Sequence, residues 1–432
     1  MYCPVNPIGI DARSLSLYGS PEKAPSRPFP PVRENEVVIL LKGTPMPHDL
    51  ICLACPNGCH LLTDERTDCL LSLEGHQCER GLDFARTFFS EQRIEVTAGE
   101  RTEVPSEDRL KEITAFWGIT FKALRPRLIP AGSPERTLFR TVIQDDRGGS
   151  FVLERIPAAA RYSKLRITRT LAFLFKRGLS NIVPYRAGDN NQYHLQENGA
   201  LWQMSPFIPG IPLDRERYLY EGWRAAPLAH FLIDLRRASE GIPYFSLEET
   251  FSLKSYILTL VCRMESHAPS LLPRLRRTLA FLEQEFWDVH DRLPIAFCHG
   301  DYHPLNIVWG RREIRAVIDW EFAGPKPEIY DLANMVGCLG VEHPSSLKGD
   351  LVINLIGRLK AAGLYAEISW NSFAAFIVAL RFAWLSEWLR KDDREMVGLE
   401  LDYMDLLIQN RELLERNWEA CSRRVAGWKE DS

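Results

Sequence analysis

Three oxygen-bearing residues in the C-terminal half of the chain stand at a spacing that suits metal-assisted phosphate chemistry. Asp301 is followed five residues later by Asn306, and a second carboxylate, Asp319, comes thirteen residues after that. Between Asn306 and Asp319 apolar residues alternate (Ile307, Trp309, then Ile314, Ala316, Ile318) around a polar Gly310–Glu313 tip. That pattern is the signature of a β-hairpin. With Arg312–Glu313 as the turn, Asn306 falls opposite Asp319 at the open end, and Asp301 lies on the loop just before. Mg²⁺ held between protein oxygens and nucleotide phosphates takes such a pair, and a nearby carboxylate can accept the proton of an attacking hydroxyl. Taken singly, each residue reads as an ordinary solvated polar group; the joined pattern carries the chemistry.

A second set lies far upstream. Cys52, Cys55, Cys59 and Cys78 fall within 27 residues, spaced C-x2-C-x3-C-x18-C. Pro56 and Gly58 supply a turn, and CLLSLEG is a strand leading back. Three thiolates on a tight loop and a fourth returning from a hairpin can surround one metal centre. Four thiolates suit a [4Fe-4S] cluster or, alternatively, Zn²⁺; four plain reduced cysteines are the other reading. Cys69 sits inside the returning strand and is not expected to be a ligand. Cys262, Cys298, Cys338 and Cys421 are scattered through apolar or helical contexts, where single cysteines behave as small buried hydrophobes.

The elements that must position these residues come from a chain of 432 residues, long enough for two or three domains. Its 45% hydrophobic and 25% charged residues are ordinary for a soluble protein, and a net charge of −4 gives no general affinity for nucleic acid or anionic membrane. No apolar run approaches the roughly 20 residues that span a bilayer. The start, MYCPVNPIGIDARS, lacks the layout of a secretory signal, so a cytoplasmic location is expected.

Residues 1–35, rich in proline and charge, read as a disordered lead. EVVILL (Glu36–Leu41) is a strand candidate, and residues 36–100 form the cysteine module. Residues 94–105 then read as a linker. Ser106 looks like the N-cap of the helix EDRLKEITAFW. LRPRLIPAGSPERTLFRTVIQDDRGGSFVLERIP gives three strands with turns at Ala131–Arg136 and Asp145–Ser150. The helix RYSKLRITRTLAFLFKRG has a core face at Ile167, Thr170, Leu171 and Leu174. NIVPYR and ALWQMSPFIPG follow, and from about residue 214 the pattern is helical. Leu228, Phe231, Leu232 and Leu235 share one face, and Leu279, Phe281, Leu282 and Phe286 another. Phe376, Leu380, Trp384 and Trp388 form an aromatic stripe suited to core packing.

HGDYHPLN followed at hairpin distance by IDWEFAG resembles the aminoglycoside phosphotransferase-like kinases, a broad family with choline, homoserine and spore-coat kinase-like members. The resemblance covers residues 106–420. It implies an α+β, two-lobed protein-kinase-like fold, with a small lobe over 106–204 and a large helical lobe over 205–420. It also implies ATP and Mg²⁺ as cofactors and phosphoryl transfer to a hydroxyl of a small molecule. By position Asp301 would be the catalytic carboxylate, with His299 and Gly300 supporting its loop. Asn306 and Asp319 would be the Mg²⁺ ligands, and Asp331, in YDLAN, a structural aspartate. The AGSPER turn with Ser133 sits where the family places its phosphate-covering loop. The backbone around Met204–Phe207 would face adenine, and the acidic end Glu387, Asp392 and Asp393 lies where family members often bind cationic acceptors, although such a charge run usually marks only a solvated face.

One departure stands out. Glu154 occupies the place of the family's phosphate-holding lysine, and Arg155 points to the other face of a regular strand, unless a bulge turns it inward. The following helix has no acid. A reversed pair of Glu154 with Arg166 or Arg169 would keep that helix docked, leaving the phosphate cation unassigned. A nucleotide-binding pseudokinase or scaffold is therefore the alternative function. The cysteine module resembles the N-terminal [4Fe-4S] segment of molybdopterin oxidoreductases, and more closely a small module found beside FAD-dependent dehydrogenases. No molybdopterin domain follows it, and a redox partner protein is the interaction it implies.

Overall fold

The computed structural model describes residues 46–51, 60–66, 69–74, 104–130, 137–189, 191–197, 199–215, 217–242 and 250–425. Cys52, Cys55, Cys59, Cys78 and Ser133 lie outside these residues, as do the EVVILL segment and the Ala131–Arg136 turn. Three antiparallel strands, β1 (Met46–Ile51), β2 (His60–Arg66) and β3 (Cys69–Glu74), form one sheet in that order. The expected strand over CLLSLEG is β3, so Cys69 stands within a ladder.

Helix α1 (Glu107–Ala115) starts where a capping residue is available: the Ser106 hydroxyl accepts from the Arg109 N–H at 3.3 Å. Five antiparallel strands follow, β4 (Phe121–Leu124), β5 (Phe139–Asp145), β6 (Ser150–Pro157), β7 (Leu195–Glu197) and β8 (Ala200–Pro206), ordered β4-β5-β6-β8-β7. The first of them is FKAL, upstream of most of the segment that the alternation suggested. Strand alternation divides the sheet's faces. Leu153, Trp202 and Met204 turn to α1 and pack with Leu110, Ile113 and Trp117 in a small core. Glu154 faces the opposite side, towards α2 (Arg161–Lys176). Helix α2 buries Ile167, Leu171 and Leu174, but Thr168 is fully buried where Thr170 was expected, and Thr170 is only half-buried.

The apolar face of α2 joins a second and larger core, built on α3 (Ala225–Ala238), α4 (Leu253–His267), α5 (Leu272–Glu285), α6 (Tyr330–Glu342), α7 (Asp350–Ala361), α8 (Phe373–Arg390), α9 (Arg394–Gln409) and α10 (Arg411–Val425). Leu228, Phe231, Leu232 and Leu235 of α3 are buried together as their spacing required. Helix α8 is buried almost all round from Phe373 to Phe382. Its Arg381 pairs with Glu400 of α9, both side chains almost fully enclosed. Two short ribbons complete the larger core: β9 (Ile295–Cys298) with β12 (Gly324–Pro327), and β10 (Ile307–Trp309) with β11 (Ile314–Val317). Among the described residues no helix is long and apolar enough to cross a membrane.

Candidate active site

Strand β9 ends at Cys298 and releases His299, Gly300 and Asp301 into a loop. Because Cys298 pairs with Gly324, that loop is pressed against the Asp319–Ala323 segment leading into β12. Gly300 makes the approach possible. Its φ is 83°, and a Cβ there would run into the Phe322 carbonyl and the Lys326 side chain. From the first turn of α6, the Asp331 carboxylate accepts the N–H groups of His299 (2.7 Å) and Gly300 (2.8 Å). Burial pushes the Asp331 carboxyl up to about 6, against the pull of those two N–H groups. Its structural part is thus a specific one: it fixes the backbone on which Asp301 sits.

His299 is fully buried, and burial lowers its imidazole to about 4, so the ring is neutral. Nε2 donates to the Ile318 carbonyl at 3.0 Å, and Nδ1 accepts the Asp301 N–H at 3.2 Å. Both nitrogens are engaged, and the ring is a bracket between the Asp301 loop and the end of β11. It holds the loop and has no nitrogen left for a substrate proton.

Asp301 is positioned by its neighbours as well as by its backbone. Asn306 Nδ2 donates to the Asp301 carboxylate (2.8 Å) and to its carbonyl (3.0 Å), and His303 Nε2 lies 3.5 Å from the same carboxylate. Burial alone would raise the Asp301 carboxyl, but His303 and the Asn306 amide outweigh it and hold it below the usual carboxylate value. Asp301 is therefore an ionised acceptor. With its nitrogen spent on Asp301, Asn306 has its side-chain oxygen left for coordination.

The hairpin differs from expectation by one residue. Its turn closes through the Gly310 N–H on the Glu313 carbonyl (2.9 Å), which centres it on Arg311–Arg312, and the ladder shifts between Val308 and Trp309. Ile307 consequently pairs with Val317, and the Asn306 carbonyl accepts the Ile318 N–H, so Asn306 faces Ile318 and not Asp319. In a regular strand such a slip would send Asp319 to the wrong face. Asp319 is outside the ladder, however. Its φ of 64° leaves the extended conformation, so strand alternation no longer dictates its direction. A side-chain-bearing residue held there stores of order 1–3 kcal/mol, a pattern that clusters at functional sites.

Asn306 and Asp319 thus supply one amide oxygen and one carboxylate close together in the backbone. Among the described residues no three His, Cys, Asp or Glu side chains converge on a point. This donor set fits an ion that completes its shell with phosphate and water oxygens, as Mg²⁺ ordinarily does.

On the five-stranded sheet, Glu154 has a different partner from the expected Arg166 or Arg169. It lies 3.0 Å from Arg140 Nε and accepts from Gln203 Nε2 at 2.8 Å. The reason is register: Arg140, Glu154 and Gln203 are directly opposed on β5, β6 and β8. Arg166 donates instead to the Ala323 carbonyl (2.6 Å), and Arg169 is exposed. Arg155 lies on the far face over Trp202, 5.8 Å from the ring centroid, as a regular strand requires. Beside Arg166, α2 directs Lys164 at this region, buried and ion-paired with Glu321. Burial would lower its amine, but Tyr185, Glu321 and Glu154 outweigh that and hold it above the usual lysine value. Neither Lys164 nor Glu321 stood out by residue type; Glu321 is signalled only by its place two residues after Asp319.

In β8, the Met204 carbonyl accepts the Arg186 N–H (2.7 Å), its side chain fills the α1 core, and the Phe207 N–H donates to Ser150 (2.9 Å). An adenine edge would have to be met by other backbone groups of this segment. At the end of α8, Glu387 is paired with Arg390 (2.8 Å) and Lys391 (2.7 Å), and Asp393 caps α9 through the Met396 N–H. Those two carboxylates have cationic or backbone partners of their own. Trp384 lies nearer the chemistry, its ring 5.7 Å from that of His303.

Two solved structures share this architecture. One is an aminoglycoside phosphotransferase from Alicyclobacillus acidocaldarius (TM-score 0.50, 14% identity, 76% of this chain and 100% of the other). The second is aminoglycoside 2'-phosphotransferase-IIIa in its GDP complex (TM-score 0.50, 16% identity, 71% and 100%). At these identities the likeness speaks for the fold. No curated protein matches the chain. The family model of the phosphotransferase enzyme family matches residues 127–370, more than half the chain and the whole span from β5 through α7. The chain belongs to the phosphotransferase enzyme family and is a small-molecule kinase.

Proposed function

We propose that this kinase transfers the γ-phosphoryl group of a Mg²⁺-bound nucleotide, ATP in the first instance, to a hydroxyl of a small molecule. The observation that supports it best is Asp301, ionised, with its carboxylate fixed by Asn306 and its backbone by His299 and Asp331. Asp301 orients the acceptor hydroxyl and takes its proton as the new O–P bond forms and the bond to the departing nucleoside diphosphate breaks. Asn306 and Asp319 would hold the metal. Bound there, Mg²⁺ would supply positive charge to the phosphate oxygens. His299 and Asp331 keep the loop in place and transfer no proton. On its spacing alone, the cysteine cluster is proposed as a separate iron–sulfur or zinc unit that serves a redox partner.

The test is a difference in how variants fail. Asp319→Ala or Asn306→Ala removes a metal ligand and is expected to weaken Mg²⁺-dependent nucleotide binding. Asp301→Asn is expected to spare that binding and to cut turnover by about 10²–10⁴-fold, the usual worth of a proton-accepting group. Titration calorimetry beside steady-state kinetics separates the two. GTP belongs in the same assays, because the aminoglycoside 2'-phosphotransferase-IIIa structure was solved with GDP. An Asp301→Asn variant that turns over like wild type would sink the assignment.

A further inference from the structure

We propose that Lys164, carried by helix α2, is the cation that binds the nucleotide's phosphates, in place of a lysine on strand β6. The inference rests on the phosphotransferase reading and adds a residue that this reading leaves out. A polyphosphate needs a positive group besides its metal, and the strand position that would offer one holds Glu154. The other cations of the region have different engagements. Arg140 faces Glu154, Arg155 lies over Trp202 on the far side of the sheet, Arg166 donates to a backbone carbonyl, and Arg169 is exposed.

Lys164 has the required placement. Its Nζ is paired with Glu321, two residues beyond Asp319, so the amine stands beside the segment that carries a metal ligand. Its side chain is 10% exposed and that of Glu321 18%, so the pair is mostly enclosed yet still reaches solvent beside that segment. Arg166, half a turn along α2, bonds the Ala323 carbonyl at 2.6 Å and fixes the helix to the same segment. Glu154 is among the acidic groups that act on Lys164. The carboxylate is on the strand and the lysine on the helix, so the two signs are interchanged between elements while the site keeps one of each. A lysine amine has three donors. One can stay on Glu321 while the others turn to phosphate oxygens.

The experiment compares MgATP with adenosine, which presents the same base without phosphates, or MgGTP with guanosine if the wild type prefers that base. Lys164→Met leaves Glu321 unpaired and risks the fold. The double variant Lys164→Met/Glu321→Gln removes both charges and serves as the stable companion. In each folded variant MgATP affinity is expected to fall about 10- to 100-fold, the worth of a charge-assisted hydrogen bond. Adenosine affinity is expected to stay within about twofold. Equal loss for both ligands would make Lys164 a structural residue and overturn the proposal, and so would unchanged MgATP affinity. A wild-type protein that binds neither nucleotide nor nucleoside would overturn the phosphotransferase reading together with it.

Discussion

Asp331 shows how much one buried carboxylate can govern. Ionised, it accepts the His299 and Gly300 N–H groups and keeps Asp301 in place. Burial raises it to about 6 in the fold, from an ordinary 3.8. A raised carboxyl stabilises the fold most below pH 3.8, and that contribution is lost as pH rises through about 6. Activity has the opposite sign, since only the ionised form satisfies both N–H groups. Turnover is expected to rise through an acid limb near pH 6. Asp301, held below the usual carboxylate value, titrates lower and cannot produce that limb. Asp331→Asn should remove the limb and lower the plateau about ten- to hundredfold, by weakening hydrogen bonds to a charged group; a pH–rate profile of both proteins checks it. At this scale HGDYHPLN and IDWEFAG marked the loop and hairpin that carry Asp301, Asn306 and Asp319. The work of Asp331 was not, since it depends on α6 aiming a carboxylate at a loop thirty residues upstream.

Pairing between elements decided what the sequence could not. The hairpin was readable from its alternation, yet its register was off by one, because the shift at Val308–Trp309 follows no residue-type rule. Glu154 was recognised as anomalous, but its partner came from β5 and not from α2. Arg140 lies fourteen residues upstream, and only the strand ladder brings it opposite. Lys164 was hidden for a related reason: RYSKLRITR offers four cations within nine residues, and only packing shows that Lys164 and Arg166 are the two that meet the Asp319 segment. A consequence follows for Glu154→Lys. The new ammonium would meet Arg140 across the ladder in a side chain that is 12% exposed. Breaking a buried pair in this way costs about 3–5 kcal/mol. A lower melting temperature and weaker nucleotide binding are expected together. Tighter ATP binding at an unchanged melting temperature would instead favour a disabled kinase, in which Glu154 merely repels phosphate.

For the molecule as a whole, the small sheet and the helices have separate apolar cores, and α2 buries Ile167, Leu171 and Leu174 in the larger one. Lys164 and Arg166 tie it to the Asp319 segment. The two-lobed organisation was an expectation of the family resemblance, whereas hydrophobic periodicity marked only the buried faces of single helices such as α3. The cysteine unit stands apart from this argument and rests on spacing. Anaerobically purified protein is expected to carry about four irons, or one zinc, per chain, with loss of any one of Cys52, Cys55, Cys59 and Cys78 emptying the site. Cys69→Ser, a change within β3, should leave the content unaltered; elemental analysis of the five variants decides. The most direct measurement of the central claim is Mg²⁺-dependent release of nucleoside diphosphate from ATP and GTP, screened over hydroxyl- and amine-bearing metabolites. The expected result is consumption that requires a particular hydroxyl compound, yields its phosphate ester, and disappears in Asp319→Ala. Consumption that persists in Asp319→Ala, or that yields no phosphorylated acceptor, would contradict it.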